Sequence, residues 1–119
     1  MFELLFILLL GHAVADLTLQ SDTMGKSKNR NRQDFSNIPP GQKLQLSWPF
    51  WLTAHASTHA LMVYFITGLW FFAACELIAH WTIDFCKCDN LLTMYQDQSL
   101  HALCKVLWII MLSFGWYLK

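Results

Sequence analysis

The sequence predicts an all-α membrane protein, a bundle of about four short transmembrane helices with both chain ends on the non-cytoplasmic side. Three observations lead there. Of 119 residues, 55% are hydrophobic and 13% charged, against roughly 25% charged residues in an average soluble domain. The apolar residues gather in runs of membrane-spanning scale. Lys26, Lys28, Arg30, Arg32 and Lys43, from a total of eight Lys and Arg, fall in one polar segment, which marks a cytoplasmic loop. The formal net charge of zero argues against a nucleic-acid or strongly acidic partner.

The elements follow in order within a single membrane domain, 1–119. Helix one, about 2–20, opens on FELLFILLLGHAVA. Its Ala-Val-Ala before Asp16 looks like a signal-peptide cleavage site, but the positive n-region is missing and Glu3 is the only early charge, so the segment reads as a membrane helix. A polar cytoplasmic loop, about 21–49, carries GKSKNRNRQD and IPPGQK, with the Gly, Pro, Asn and Ser content of an exposed, irregular segment. The apolar stretch that follows, about 50–87, is almost twice the roughly 20 residues needed to cross a bilayer. It reads as a helical hairpin, with Thr67-Gly68 at the bend because glycine tolerates a tight turn. Helix four covers about 96–118. Trp48, Phe50, Trp51, Trp116 and Tyr117 sit where an interfacial aromatic belt belongs. Cys75, Cys86, Cys88 and Cys104 show no paired CxxC spacing and read mostly as reduced, small apolar residues.

Every histidine stands four residues from a second metal-competent side chain: His12 and Asp16, His55 and His59, His80 and Asp84, Asp97 and His101. On an α-helix such pairs lie on one face about 5–6 Å apart, as two-pronged chelators. With the basic loop inside, all four pairs fall at the cytoplasmic end of their helices and so at one depth. Five imidazoles and three carboxylates then form one site. His nitrogen and Asp oxygen suit a divalent metal, zinc first and manganese or iron next, and eight ligands suit one or two ions. Helical bundles build such centres from inward-facing side chains. Gln20 and Gln98 continue the same faces and would orient ligands or substrate. Glu76, four residues before His80, is a ninth polar member, deeper in the bundle.

The strings LLLGHAVADLTLQSDTMGKSKN, TAHASTHAL, IAHWTIDFCK and YQDQSLHALCK resemble a family of small bacterial and phage membrane proteins known as domain of unknown function 3307. The matching positions are His12, Asp16 and Gln20; His55 and His59; His80, Asp84 and Lys87; and Asp97, Gln98 and His101. The resemblance implies a membrane protein, commonly phage or prophage encoded, located in the bacterial inner membrane; it implies no activity. The site is also similar in composition to membrane-bound metal-dependent hydrolases, whose helices carry His and Asp motifs.

The functional expectation is a metal-dependent hydrolase at the cytoplasmic membrane face, acting on a lipid, a lipid-linked substrate or a membrane protein. Asp97, Lys87 and Lys105 are its expected catalytic residues, the lysines neutralising charge that develops on substrate. Two other readings stay open: a non-catalytic, metal-stabilised interaction protein of phage and host membranes, and a metal-ion or proton transporter. The bilayer is an expected partner, and a homo-oligomer is compatible with so small a bundle. No phosphate-cradling glycine loop or nucleophile elbow is present.

Overall fold

The computed structural model describes residues 1–32, 40–41 and 47–116. The expectations for Lys43, Tyr117 and part of the loop at 21–49 lie outside these residues. The described chain is all helical. Helix α1 spans Phe2–Ala13, and a π-helical turn over Val14–Thr18 continues it. Helix α2 (Asp22–Ser27) is short, and three long helices follow: α3 (Trp48–Thr67), α4 (Trp70–Cys88) and α5 (Met94–Ser113).

Local chemistry explains the boundaries. Pro49, in the first turn of α3, costs no hydrogen bond, since the amide it lacks would have been unsatisfied there. Gly68 ends α3 in the left-handed region at φ 70°, its N–H donating to the Tyr64 carbonyl at 2.7 Å, a conformation that glycine adopts without a Cβ clash. The chain therefore reverses within two residues, and α4 packs antiparallel along α3. Thr93 opens α5 with a reciprocal cap: its Oγ accepts from the Gln96 amide at 3.2 Å and its own amide donates to Gln96 Oε1 at 2.9 Å. In α1, Gly11 lets the backbone approach α3, because a Cβ there would stand 2.7 Å from Met62 Cγ and 2.9 Å from Ile66 Cδ1.

Leu8, Val63, Phe72 and Trp108 form the buried apolar core at the Gly68 end of the bundle. Toward the other end the buried residues turn polar: His12, His55, His59, Glu76, His80, Asp84, Asp97, His101 and Lys105 are each no more than 8% exposed.

The membrane expectations are overturned. No described helix is long and apolar enough to cross a membrane. Helix α1 has 12 residues, about 18 Å at 1.5 Å per residue, against roughly 30 Å of hydrocarbon. Helices α3, α4 and α5 have the length, but polar side chains break each one: His55 and His59 in α3, Glu76, His80, Asp84 and Lys87 in α4, Asp97, His101 and Lys105 in α5. The transmembrane spans, the placement of both ends on a non-cytoplasmic side and the multi-pass inner-membrane location are set aside. So is the common-depth argument that rested on them. Much of the apolar surplus that suggested a bilayer is on the exterior, where Phe2, Leu17, Phe65, Trp70 and Tyr95 are exposed.

The segment read as an exposed, irregular loop also differs in its first part. Ser21 caps α2 by accepting from the Met24 amide at 3.1 Å, and Ser27 and Lys28 are buried. Arg30 forms a two-pronged ion pair with Asp89, and Asn31 donates to the Cys88 carbonyl at 3.0 Å. Residues 21–32 are thus tied across the C-terminal end of α4.

Candidate metal centre

Each long helix supplies its polar residues at i+4 steps, so a single inward face carries them. Helix α3 presents His55 and His59, α4 presents Glu76, His80 and Asp84, and α5 presents Asp97, His101 and Lys105, all buried. Helix α1 brings His12, and the π-helical turn brings Asp16. In that turn the Leu19 amide donates to the Val14 carbonyl, five residues back, at 3.0 Å. Such an extra residue per turn shifts the phase of a helix locally and recurs at functional sites.

The result is one cluster. Asp16 Oδ1 lies 3.0 Å from His59 Nε2 and 3.3 Å from His55 Nε2, and Asp16 Oδ2 lies 3.4 Å from His12 Nε2. His55 Nε2 stands 3.2 Å from His80 Nε2 and 3.4 Å from Asp84 Oδ2. Asp84 Oδ1 lies 3.2 Å from His101 Nε2 and 3.7 Å from His80 Nε2. Asp97 Oδ1 completes the set 3.6 Å from His101 Nε2. All eight side chains of the four sequence pairs are therefore together, and all five imidazoles turn Nε2 inward.

Three groupings have ligand atoms that all fall within 4.8 Å of one another: Asp16, His55, His59 and His80; His80, Asp84 and His101; and His12, His59, Glu76 and His80. Buried His, Asp and Glu groups able to hold a metal ion are present, and no cysteine belongs to any of them. The cysteines are free thiols.

The electrostatics fit neutral imidazoles among ionised carboxylates. Burial lowers His12 to about 4 and His80 to about 3, and lowers His59 as well. His101 goes the other way: burial opposes its charge, but Asp84 and Asp97 beside it raise its pKa. Burial pushes Asp16 up, yet His55, His59 and Gln98 hold it well below the usual carboxylate range. Asp84 is likewise held low against burial by His101 and by Lys28.

The remaining predicted residues divide. Gln98 Nε2 donates to Asp16 Oδ2 and to Asp97 Oδ2, each at 3.0 Å. Lys87 Nζ stands 3.7 Å from Asp97 Oδ2 and keeps 28% of its side chain exposed. Gln20 lines the cleft beside His12 and Asp16, and its Oε1 is buried without a hydrogen-bond partner. Lys105 is elsewhere. Its ammonium donates to Glu76 Oε1 at 2.5 Å while Trp108 Nε1 donates to Glu76 Oε2 at 2.7 Å, at the inner side of the cluster and sealed from solvent. Glu76 in turn stands 3.5 Å from His80 Nδ1.

Sequence reasoning missed Lys28. Its ammonium donates to Asp84 Oδ2 at 2.5 Å and is as buried as the ligands. It lies in a segment without periodicity, and the only local signal there is the Ser21 cap, which announces a helix but not where its end docks.

Residues 4–118 match the family model described as protein of unknown function (DUF3307). The chain belongs to this family. No curated protein and no solved structure matches this DUF3307 chain.

Proposed function

We propose that the cluster is a divalent-metal centre, zinc by preference with manganese or iron as alternatives, and that the protein uses it as a hydrolase. One observation carries the reading: five imidazoles from three long helices and α1 each set Nε2 within 3.0–3.7 Å of a carboxylate oxygen of Asp16 or Asp84. Ligand bonds of about 2.0–2.1 Å at a tetrahedral angle put neighbouring donor atoms about 3.3–3.4 Å apart. Three of the contacts among Asp16, His55, His59 and His80 are 3.0 to 3.3 Å, and all four ligand atoms lie within 4.8 Å of one another. The 3.2 Å contact between His55 Nε2 and His80 Nε2 is compatible with a cation between the rings and equally with an N–H···N hydrogen bond set by the tautomer. A cation also accounts for the buried Asp97 Oδ1, which has no hydrogen-bond partner.

Asp16, His55, His59 and His80 make one ligand set, and His80, Asp84 and His101 make an adjoining one. His80 is shared between groupings, which suits one ion or a close pair. A metal held there would polarise a scissile bond and supply hydroxide near neutral pH. Asp97 is placed to take a proton from a bound water, and Gln98 holds Asp16 and Asp97 in fixed rotamers. The cleft of about 300 Å³ lined by His12, Asp16, Gln20, Lys28, Lys87 and Gln98 gives substrate access, which favours catalysis over a sealed structural ion.

Metal analysis of the purified chain, beside a His55→Ala/His59→Ala double variant, tests this. One or two zinc ions per wild-type chain are expected, with at least one lost in the variant. A wild type that stays metal-free after incubation with zinc, manganese and iron(II) would overturn the proposal. Metal binding without turnover of any ester, amide or phosphoester would reduce it to a structural centre.

A further inference from the structure

The ligand cluster has a basic forecourt. The cleft beside His12 and Asp16 adjoins a second of about 370 Å³, and the two share Lys28, Lys87 and Met94 as walls. Lys26, Lys28, Arg32 and Lys87 line this outer cleft, and no Asp or Glu does, although Lys26 pairs with Asp22 at 2.7 Å, Lys28 with Asp84 at 2.5 Å and Lys87 stands 3.7 Å from Asp97. Its cations come from two elements that the fold itself brings together: residues 26–32, tied over α4 by the Arg30 and Asn31 contacts to Asp89 and Cys88, and Lys87 from α4.

Charge gives that arrangement its meaning. At the cluster, the carboxylates of Asp16, Glu76, Asp84 and Asp97 face the ammonium groups of Lys28, Lys87 and Lys105, leaving one negative charge in excess when the imidazoles are neutral. One divalent ion reverses that excess, and two leave a centre three charges positive. A buried site of that sign attracts a polyvalent anion rather than a neutral amide or ester. Gln20 Oε1, buried and unpartnered beside the inner cleft, offers an acceptor for a hydroxyl on such a ligand.

We propose that the substrate is a phosphomonoester, its phosphoryl group held between the metal centre and Lys87, with Arg32 at the outer cleft attracting it. This rests on the metal-centre reading above. In the reaction, water adds to phosphorus and the P–O bond to the alcohol breaks. One water proton leaves with the alcohol, and inorganic phosphate carries the other. Leu17 and Met94, on the inner cleft walls, give the alcohol portion an apolar contact.

The test is titration of the full-length, zinc-loaded protein with inorganic phosphate, followed by calorimetry and by ³¹P line broadening. The same titration is run on chelator-stripped protein, on Lys87→Gln and on Arg32→Gln. Phosphate should bind the zinc-loaded wild type and not the stripped protein. Lys87→Gln should weaken binding about tenfold and Arg32→Gln about threefold, as expected for loss of a charged hydrogen bond and of a longer-range charge; zinc content should be unchanged in both. If zinc binds at full stoichiometry but phosphate does not, or binds equally well to Lys87→Gln and wild type, this inference falls and the metal centre stands. If zinc itself does not bind, both fall. Competition by glycerol phosphate and by a short-chain phosphatidic acid identifies the source: equal competition means that a free phosphoryl group suffices, and tighter binding of the acylated ester assigns Leu17 and Met94 to its chain.

Discussion

The two ends of this bundle bury side chains on the same helices by opposite means. At the Gly68 end, Leu8, Val63, Phe72 and Trp108 leave water with nothing to satisfy beyond the Trp108 indole N–H, which donates to Glu76, and each square ångström of apolar surface removed is favourable. At the other end the same helices bury five imidazoles and the carboxylates of Glu76, Asp84 and Asp97. The inward-facing His12 Nε2 and Asp97 Oδ1 there have no hydrogen-bond partner in the fold. A buried polar group without a partner costs roughly 1–3 kcal/mol. The apolar end is thus self-sufficient, while the polar end is arranged for something that the chain does not itself provide. Glu76 lies where the two meet, tied to Trp108 and Lys105 on one side and facing His80 on the other.

Acid should separate the two ends most strongly. His12, His59 and His80 have pKa values lowered by burial, so below about pH 6.5 the unfolded chain binds protons that the folded chain refuses. Stability therefore falls with pH in that range, down through about 4 for His12 and about 3 for His80. His101, raised by Asp84 and Asp97, acts above about pH 6.5, where its contribution is lost as pH rises, and that contribution is fully present below this range. Below the ordinary carboxylate range Asp16, Asp84 and Glu76, all held low, add to the loss. Melting temperature of the metal-free protein should drop steadily from pH 7 to pH 4; a flat profile would mean that the imidazoles are not buried as described.

Phe72→Ala attacks the other end. Deleting a fully buried phenylalanine should cost about 3–5 kcal/mol in urea unfolding, and the loss should be the same with and without zinc. A loss that depends on zinc would show the two ends to be one cooperative unit energetically. Gly11→Ala should cost about 1–3 kcal/mol, because the new methyl displaces Met62 and Ile66, and should also weaken zinc binding by moving His12. Thr93→Ala removes the α5 cap and should cost about 1 kcal/mol, with zinc affinity falling less than in His55→Ala, since Asp97 stands in the capped first turn of α5 while His101 lies a turn further on.

The comparison also shows what the sequence made legible. An all-helical chain and one polar face per helix could be read directly, because i+4 spacing fixes which side chains share a side whatever surrounds the helix. What surrounds the helix could not be read from spacing. His55, Glu76, His80 and Asp97 looked like costly groups in a membrane, whereas they are the lining of a bundle interior, and the apolar surface opposite them misled the assignment of environment. Lys105 continued the Asp97 and His101 face by arithmetic but bonds to Glu76, since at i+8 it lies two turns deeper. Lys28 had no periodic neighbours, and only the folding back of residues 21–32 brings it to Asp84.

The π-helical turn at Val14–Thr18 gives the first helix a property of phase. It is the spare residue with which His12 and Asp16 stand 3.4 Å apart while both reach His59, and Asp16 reaches Gln98 as well. Removing one residue from this turn would return it to α-helical winding with the flanking segments nearly in phase, because four α-helical residues turn through about 400°, roughly what the five residues Val14–Thr18 do in the wider winding. Helix α1 would stay seated on the apolar core through Leu8, and only the way Asp16 meets His12 and His59 would change. A single deletion in this segment should therefore lower metal affinity more than it lowers stability.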